Sequence, residues 1–433
     1  MISADTKRIV LLCLLLIVSS FSIAASVMEG EDAEAEKQYV SSDIPKKFAD
    51  KVFGFTIDES KAIPDVAVTY TDSCQGYLPA RQTNIGFNYG SRKEFVEDLC
   101  RPVVLKRGSG TNKPYFVAEE LDRNDLTKTI DGKQSSISNP NSNSYGFEAM
   151  VEFKKYYINV SKTGSVITVK FSKRKLNDSY HAYAFLDANG VEHEYLYMSI
   201  YDGFQYGSVR SLSGKTVFNA NLNTCLSTMS DKSGSGFSFD SVYTANYLRL
   251  LHVLISKITS SSRAFGMGYT AGGLSNQNSG VNDSGGGFVG VATDSHVPVS
   301  TFWIENLWGN RPKWELGVAY RDGFCYVIDP GRPLVSAKTD STDYRLAFSQ
   351  PNLNNEKISE MTIYNDLLLP TAGSPGGVYD DYATIVADGT DWTHGRRVGG
   401  GISDYDSAGI WKVVCNASTV SAIPRLTYLA GTR

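Results

Sequence analysis

The chain has 433 residues, 42% of them hydrophobic and 20% charged, so it can build the packed cores of two or three ordinary domains. A nucleic-acid-binding protein needs a basic face, and a formal net charge of −4 gives that function class no support. The 39 glycines, 25 tyrosines and 20 phenylalanines favour short strands, tight turns and loop-built surfaces over a helical bundle. The composition therefore predicts a β-rich α+β fold.

The first 25 residues have the pattern of a signal peptide. Lys7 and Arg8 precede an apolar run that ends in small residues at Ala24 and Ala25. The run is slightly short for a spanning helix of about 20 residues, so cleavage is predicted rather than an uncleaved anchor. No second apolar run of that length follows, so no membrane span is expected after leader cleavage.

Strand patterns dominate the next part of the chain. Residues 26–48 are acidic and polar and predict a solvated linker, whereas residues 49–200 predict a β-rich N-terminal domain. The strand-like runs are Val52–Ile57, Val66–Tyr70, Phe153–Val160 and Val166–Phe171, the last two joined as a hairpin.

One helix is predicted from the spacing of apolar residues after Asp240. The residues that recur at helical spacing are Tyr243, Tyr247, Leu251, Leu254 and Ile258. Asp240 can cap the helix, and Ser260–Ser262 ends it. The pattern predicts an amphipathic helix with one buried face, and His252 within it is interpreted as structural.

Five cysteines follow the leader, at Cys74, Cys100, Cys225, Cys325 and Cys415. They are widely spaced and include no CxxC pair, so neither a zinc site nor a dense disulfide framework is indicated. Cys74 and Cys100 could pair in an oxidising compartment, and the alternative is buried thiols. No metal and no cofactor is predicted.

Several short motifs follow one another in the middle of the chain. They are His181–Phe185, Arg210–Gly214, Leu254–Lys257, Ala264–Gly268 and Ile304–Arg311, the last followed by Trp314. In this order they resemble a family of uncharacterised bacteriophage tail and minor structural proteins. The resemblance covers roughly residues 50–330.

That family in turn resembles the C-type-lectin-like fold of phage tropism determinants and formylglycine-generating-enzyme-like domains. The resemblance implies a C-type-lectin-like domain over residues 201–433. Its structural motif residues would be Trp308, Gly309, Asn310, Trp314, Gly399, Gly400 and Gly401. The tryptophans would supply buried area and the glycines would let backbones approach closely. The enzymes of this group use a pair of C-terminal cysteines, whereas this chain has only Cys415 there.

A lectin-like scaffold would present its ligand face from C-terminal loops. The candidate ligand-binding residues are Trp392, His394, Asp404, Tyr405, Asp406 and Asn416. Such side chains stack on sugar rings and form hydrogen bonds with hydroxyl groups, although Trp392 could instead anchor its loop to the core. The pair Asp380–Asp381 could serve glycoside hydrolysis or calcium binding, and the alternative is a solvated loop.

Together these features predict a non-enzymatic recognition protein of a cell surface or virion. It would be a phage-tail-like receptor-binding protein or a secreted adhesin, with a cell-surface glycan or protein as partner and with a homo-oligomer such as a trimer left open. The alternatives are a structural virion or surface-layer component without a ligand, and an enzyme of the formylglycine-generating or glycan-degrading kind.

Overall fold

The computed structural model describes residues 51–83, 86–91, 96–108, 114–138, 146–229, 236–291, 293–334, 343–387, 393–415 and 421–431. The predicted signal peptide and the predicted acidic linker lie outside the described residues. The described residues from Val52 onward form one compact unit.

Short strands make up most of the regular structure, which confirms the predicted β-rich α+β fold class. In chain order the strands of the described residues are β1 (Val52–Asp58), β2 (Val68–Asp72), β3 (Arg81–Thr83), β4 (Gly86–Asn88), β5 (Cys100–Arg107), β6 (Tyr115–Glu120), β7 (Phe147–Lys154), β8 (Tyr157–Thr163), β9 (Val166–Ser172), β10 (Tyr195–Ser199), β11 (Phe204–Tyr206), β12 (Ser208–Arg210), β13 (Phe237–Phe239), β14 (Phe288–Val289), β15 (Ser300–Thr301), β16 (Ile304–Glu305), β17 (Lys313–Arg321), β18 (Phe324–Ile328), β19 (Tyr344–Ser349), β20 (Leu353–Tyr364), β21 (Leu367–Gly373), β22 (Tyr382–Ile385), β23 (Thr393–Val398), β24 (Val413–Cys415) and β25 (Leu426–Ala430). The α-helices are α1 (Pro64–Ala67), α2 (Val96–Leu99), α3 (Leu222–Ser227), α4 (Val242–Ser256) and α5 (Ser261–Phe265). Single 3₁₀ turns are η1 (Ser136–Ser138), η2 (Tyr183–Phe185) and η3 (Tyr405–Ser407).

Three larger sheets organise these strands. The four-stranded sheet has the order β2–β1–β9–β8, and the six-stranded sheet has the order β13–β25–β10–β7–β5–β6. The eight-stranded sheet has the order β19–β18–β17–β23–β24–β22–β20–β21. In these sheets β22 pairs parallel with β24, whereas the other pairs are antiparallel.

Helix α4 is buried on every side, whereas the sequence predicted an amphipathic helix with one buried face. The polar residues of its predicted exposed face contact other elements: Arg249 Nε donates to Ile410 O at 2.9 Å, and Asn246 Nδ2 donates to Asp366 O at 3.0 Å. On another side, Tyr70 Oη of β2 donates to Leu254 O at 2.6 Å. The helix therefore lies at the centre of the fold, and its polar side chains fix the elements around it.

The N-cap of α4 lies one residue after the predicted cap, Asp240. Ser241 is the N-cap, and its side chain and backbone exchange hydrogen bonds with Thr244 at 3.1 and 2.8 Å, which makes a capping box. Asp240, the predicted cap, instead accepts a hydrogen bond from the Thr244 hydroxyl. The helix ends at Ser256, before the predicted end at Ser260–Ser262, and its C-cap Lys257 adopts a left-handed φ of 53°.

A buried ion triad ties α4 to the eight-stranded sheet. Glu315 of β17 accepts from Arg249 Nη2 at 2.5 Å and from Arg396 of β23. The three side chains are at most 3% exposed. Breaking such a group by removing one partner typically costs about 3–5 kcal/mol, because a charge is then left buried and unpaired. The triad therefore fixes the position of α4 against β17 and β23.

Two strand predictions need correction. The run predicted as one strand over residues 153–160 is divided: β7 ends at Lys154 in the six-stranded sheet, and β8 begins at Tyr157 in the four-stranded sheet. Tyr156 lies buried at the crossing, with its ring 6.4 Å from that of Phe53. Near the start of the chain, Pro64 begins the helical turn α1, so β2 starts only at Val68. The predicted β8–β9 hairpin is confirmed.

The six-stranded sheet contains strands from both predicted domains. Strands β5, β6, β7 and β10 come from residues 49–200, whereas β13 and β25 come from residues 201–433. The last described segment, residues 421–431, thus contributes a strand to a sheet whose other strands include β5 and β7, and Tyr197 of β10 pairs with Tyr428 of β25. The predicted boundary near residue 200 passes through this sheet.

Candidate binding site

The predicted Trp-Gly-Asn motif forms a buried loop. Trp308 is fully buried, and its Nε1 donates to Gly266 O at 3.0 Å. Gly309 has a left-handed φ of 83°, and a Cβ there would lie 2.7 Å from Tyr269 N. Asn310 is also buried, with Nδ2 3.2 Å from Asp202 Oδ2 and its own N–H donating to Tyr269 O at 2.7 Å. This loop is therefore a rigid part of the interior.

The second tryptophan of the motif belongs to the main core. Trp314 is 2% exposed, and its Nε1 donates to Ala220 O at 3.0 Å. Its ring packs in a cluster with Leu426 and Tyr428 of β25. The structure thus places Trp308 and Trp314 inside the protein, where they anchor loops and strands.

The predicted glycine segment lies directly against this motif. A Cβ on Gly399 would lie 2.4 Å from Leu307 O, and one on Gly401 would lie 2.8 Å from Pro312 Cδ. Gly400 has a left-handed φ of 66°. Gly309 N–H donates to Gly399 O at 3.3 Å, so two motifs about 90 residues apart in the sequence share one packed loop pair.

Residues 403–406, which we call the Tyr405 turn, project from this loop pair. Ser403 N–H and Tyr405 N–H both donate to Thr270 O, at 2.8 and 3.3 Å. Tyr405 has a left-handed φ of 46° and is 48% exposed. Its hydroxyl lies over Gly272, where a Cβ would come within 2.5 Å of it. The turn thus holds an exposed aromatic ring in a backbone conformation that bulky residues rarely adopt.

Of the other predicted ligand-binding residues, the structure describes Asp404, Asp406 and His394. Asp404 accepts from Gly401 N–H at 2.6 Å and from Lys412 Nζ at 3.2 Å, so its carboxylate stabilises the turn. Asp406 is exposed beside Tyr405. His394 lies in β23 opposite Ala319. Trp392 and Asn416 lie outside the described residues.

A groove of about 400 Å³ opens beside the Tyr405 turn, a volume within the usual range for ligand sites. We call it the Asp406 groove, and it is lined by Ser262, Arg263, Met267, Lys357, Asp380 and Asp406. Helix α5 supplies the serine and the arginine, β20 supplies the lysine, and the Tyr405 turn supplies Asp406. The groove therefore brings a predicted ligand-binding residue together with two cations and a second carboxylate.

Ion pairs order the polar side chains of this groove. Asp380 accepts from Lys357 Nζ at 2.6 Å and from Arg263 Nε at 2.9 Å. Burial alone would favour its neutral form, yet the bond from Lys357 and the charge of Arg263 hold the pKa of Asp380 below its usual value. Arg263 also pairs with Asp65 at 3.1 Å. The groove thus presents fixed donors and acceptors, suited to a ligand rich in hydroxyl groups.

The two adjacent carboxylates at 380 and 381 do not face one site. Asp381 is fully buried, and its Oδ2 accepts from Trp411 N–H at 2.7 Å. Burial raises the pKa of Asp381 to about 8. Asp380 alone faces the groove, so the arrangement differs from a pair of carboxylates flanking a substrate or sharing a calcium ion.

The cysteines and His252 lie in the interior. All five cysteines after the leader are buried thiols rather than disulfides. Burial raises the pKa of Cys325 and of Cys415 to about 12, so both stay protonated at neutral pH. His252 contacts the rings of Phe265 and Trp308, and burial lowers its pKa to about 3. Among the described residues, no three His, Cys, Asp or Glu side chains group as a metal site.

Sequence reasoning missed the cationic side of the groove. Arg263 and Lys357 are 94 residues apart and come from a short helix and a long strand, and no local motif connects them. The sequence pattern singles out Asp380 only as a member of an acidic pair. The groove forms only because β20 and α5 meet near the Tyr405 turn, and no local sequence pattern indicates that tertiary contact.

Comparison with known proteins found neither a family model nor a curated sequence that matches the chain. In the part of the chain that the structure describes, none of the helices is long and apolar enough to cross a membrane.

Proposed function

We propose that this protein is a recognition protein of a cell surface or virion that binds a glycan at the Tyr405 turn and the Asp406 groove. It would act as a phage-tail-like receptor-binding protein or as a secreted adhesin on a C-type-lectin-like scaffold. The proposal assigns no catalytic step to the groove.

The observation that supports this proposal most is the conformation of Tyr405. Two other aromatic residues among the described ones, Phe302 and Trp303, also have left-handed φ values, 53° and 62°. Both are at most 3% exposed, and their burial offsets the strain. Tyr405 is half exposed, so burial offsets its strain less, and strained residues of this kind concentrate at ligand-binding positions.

The chemistry of the neighbouring groove fits a sugar ligand. The exposed face of Tyr405 can stack on the C–H face of a sugar ring. Asp406 and Asp380 can accept hydrogen bonds from hydroxyl groups, whereas Arg263 and Lys357 can donate them. Because Arg263 and Lys357 already pair with Asp380 within the protein, the groove favours a neutral, hydroxyl-rich ligand over a strongly charged one.

A glycan array tests this proposal with the secreted part of the chain, residues 26–433. We expect a restricted set of glycans to bind, and Tyr405→Ala to weaken the best of them about tenfold or more. The matched control is Tyr206→Ala, because Tyr206 is 52% exposed in β11 and should not affect binding. Equal binding by the wild type and both variants would place the site elsewhere, and an array without hits would overturn the glycan proposal.

A further inference from the structure

A second concavity lies away from the Asp406 groove, between the six-stranded and eight-stranded sheets. It has a volume of about 470 Å³. Its walls are β13 and β25 of one sheet, the first turn of α4, the residues around η2, and the turn that follows β18. We call it the β13 cleft, and it shares no lining residue with the groove.

The interior of the β13 cleft is apolar and aromatic. Its side chains include Tyr183, Phe237, Tyr243, Ile328, Leu334 and Leu429. Two hydroxyl groups of the wall are already engaged within the protein: Tyr243 Oη donates to Ile328 O at 2.8 Å, and Thr427 Oγ1 donates to Phe239 O at 3.2 Å. The mostly apolar side chains of the cleft favour an apolar ligand part there, because a buried polar group without a hydrogen-bonding partner is costly.

The two carboxylates at the mouth of the cleft are already occupied. Asp187 accepts two backbone N–H bonds within its own turn, at 2.8 and 2.9 Å, and lies 3.2 Å from His193 Nε2. Asp329 pairs with Arg345 at 2.9 Å. Neither carboxylate is thus set up to receive a cationic ligand.

The cation at the mouth is held much more loosely. Arg332 is 56% exposed, and its ion pair with Asp343 spans 3.6 Å, beyond ordinary hydrogen-bond length. Its backbone is well fixed, because the adjacent Gly331 packs on Gly190 so closely that a Cβ would lie 2.7 Å from Gly190 Cα. A guanidinium group on a fixed turn suits recognition of a carboxylate or sulfonate.

We propose that the β13 cleft binds a small anionic amphipath, with an aromatic or medium-length acyl group inside and its acidic head at Arg332. The volume fits a small molecule, and the mostly apolar wall favours an apolar group over a free sugar. The inference does not depend on glycan binding, because different elements build the two sites.

The test uses the full secreted chain with 8-anilinonaphthalene-1-sulfonate as a fluorescent probe and decanoate as a competitor. We expect saturable binding of one probe per chain that decanoate displaces. Arg332→Glu should weaken binding about tenfold, through loss of the charged contact. Leu334→Trp should abolish it by filling the cleft. The matched control is Arg321→Glu, since Arg321 is also a partly exposed arginine at an end of the same sheet and lies outside the cleft.

Absence of saturable binding, or binding that neither Arg332→Glu nor Leu334→Trp changes, would overturn the proposal. If Leu334→Trp fails to fold, as thermal unfolding will show, the surface variant Arg332→Glu alone decides. Sedimentation with phosphatidylglycerol vesicles distinguishes a dissolved ligand from a bilayer lipid. We expect no sedimentation, and vesicle binding that Arg332→Glu abolishes would contradict a dissolved ligand.

Discussion

The loop around Trp308 and the Tyr405 turn contact the same short backbone segment in different ways. Asn310 N–H donates to Tyr269 O at 2.7 Å, and Ser403 N–H donates to Thr270 O at 2.8 Å. Both regions contain left-handed residues. In the first these are Gly309 and Asn310, residue types that tolerate the conformation, whereas in the second they include a serine and a tyrosine.

The residue types in the Trp308 loop are explained by packing, whereas the residue types in the Tyr405 turn are not. In the Trp308 loop, burial, hydrogen bonds and backbone preference all favour the same arrangement. In the Tyr405 turn, the bulky side chain opposes its own backbone conformation and stays exposed. Local conflict of this kind is expected where function, rather than stability, determines the residue.

The largest expected effect concerns the packed region. Trp308→Ala removes a fully buried indole and its bond to Gly266 O, so we expect the free energy of unfolding to fall by about 3–5 kcal/mol. Urea unfolding measures this change. Tyr405→Ala should lower stability by less than about 1 kcal/mol, because that side chain is exposed. Equal losses in the two variants would remove the distinction between the regions.

A second prediction compares two glycines with similar φ values. Gly309 has φ 83° and would place a Cβ 2.7 Å from Tyr269 N, whereas Gly273 has φ 78° and open space around it. Gly273→Ala should cost about 1–2 kcal/mol from backbone strain alone. Gly309→Ala should cost about 1–3 kcal/mol more, because of the clash with backbone atoms. Denaturation midpoints of the two variants decide whether close packing or only φ requires glycine at 309.

The adjacent carboxylates Asp380 and Asp381, one in the groove and one in the core, should affect the pH dependence of stability in opposite directions. Burial raises the folded-state pKa of Asp381 to about 8, so its contribution to stability is present below the unfolded pKa and lost as pH rises through 8. Relative to wild type, Asp381→Asn should therefore gain about 1–3 kcal/mol of unfolding free energy between pH 5 and pH 8.5. Urea unfolding at the two pH values measures this gain.

Asp380 provides the control of opposite sign. Its pKa is lowered, so its contribution to stability is present above the unfolded pKa and lost as pH falls through the folded pKa. Asp380→Asn should accordingly be destabilising at neutral pH, with no gain toward pH 8.5. A gain in Asp380→Asn, or none in Asp381→Asn, would contradict the assignment of one carboxylate to the groove and the other to the core.

Local patterns predicted much of the fold. The spacing of apolar residues located α4, and the β8–β9 hairpin followed from alternation and its turn. Two further hairpin turns also have local sequence signals, Asp322–Gly323 and Asn365–Asp366, and all four residues have left-handed φ. The buried surroundings of α4 were not predictable, because Arg249 has its partner in Glu315, 66 residues later.

The candidate site was predictable only in part. The resemblance predicts a ligand-binding role for Asp404, Tyr405 and Asp406. The structure places Tyr405 and Asp406 together at the surface. It also shows Asp404 engaged with Gly401 and Lys412, a local role that the residue type alone did not reveal. The groove itself depends on long-range strand pairing, such as Lys357 of β20 with Tyr382 of β22, which no local pattern encodes.

The most direct test of the account is Tyr405→Gly, with stability and glycan binding measured on the same preparation. Glycine adopts a φ of 46° without strain, so the free energy of unfolding should stay unchanged or rise by up to about 1 kcal/mol. Binding to the best array glycan should fall at least about tenfold. A variant that loses stability and keeps full binding would show that Tyr405 is a structural residue, and the account would be wrong.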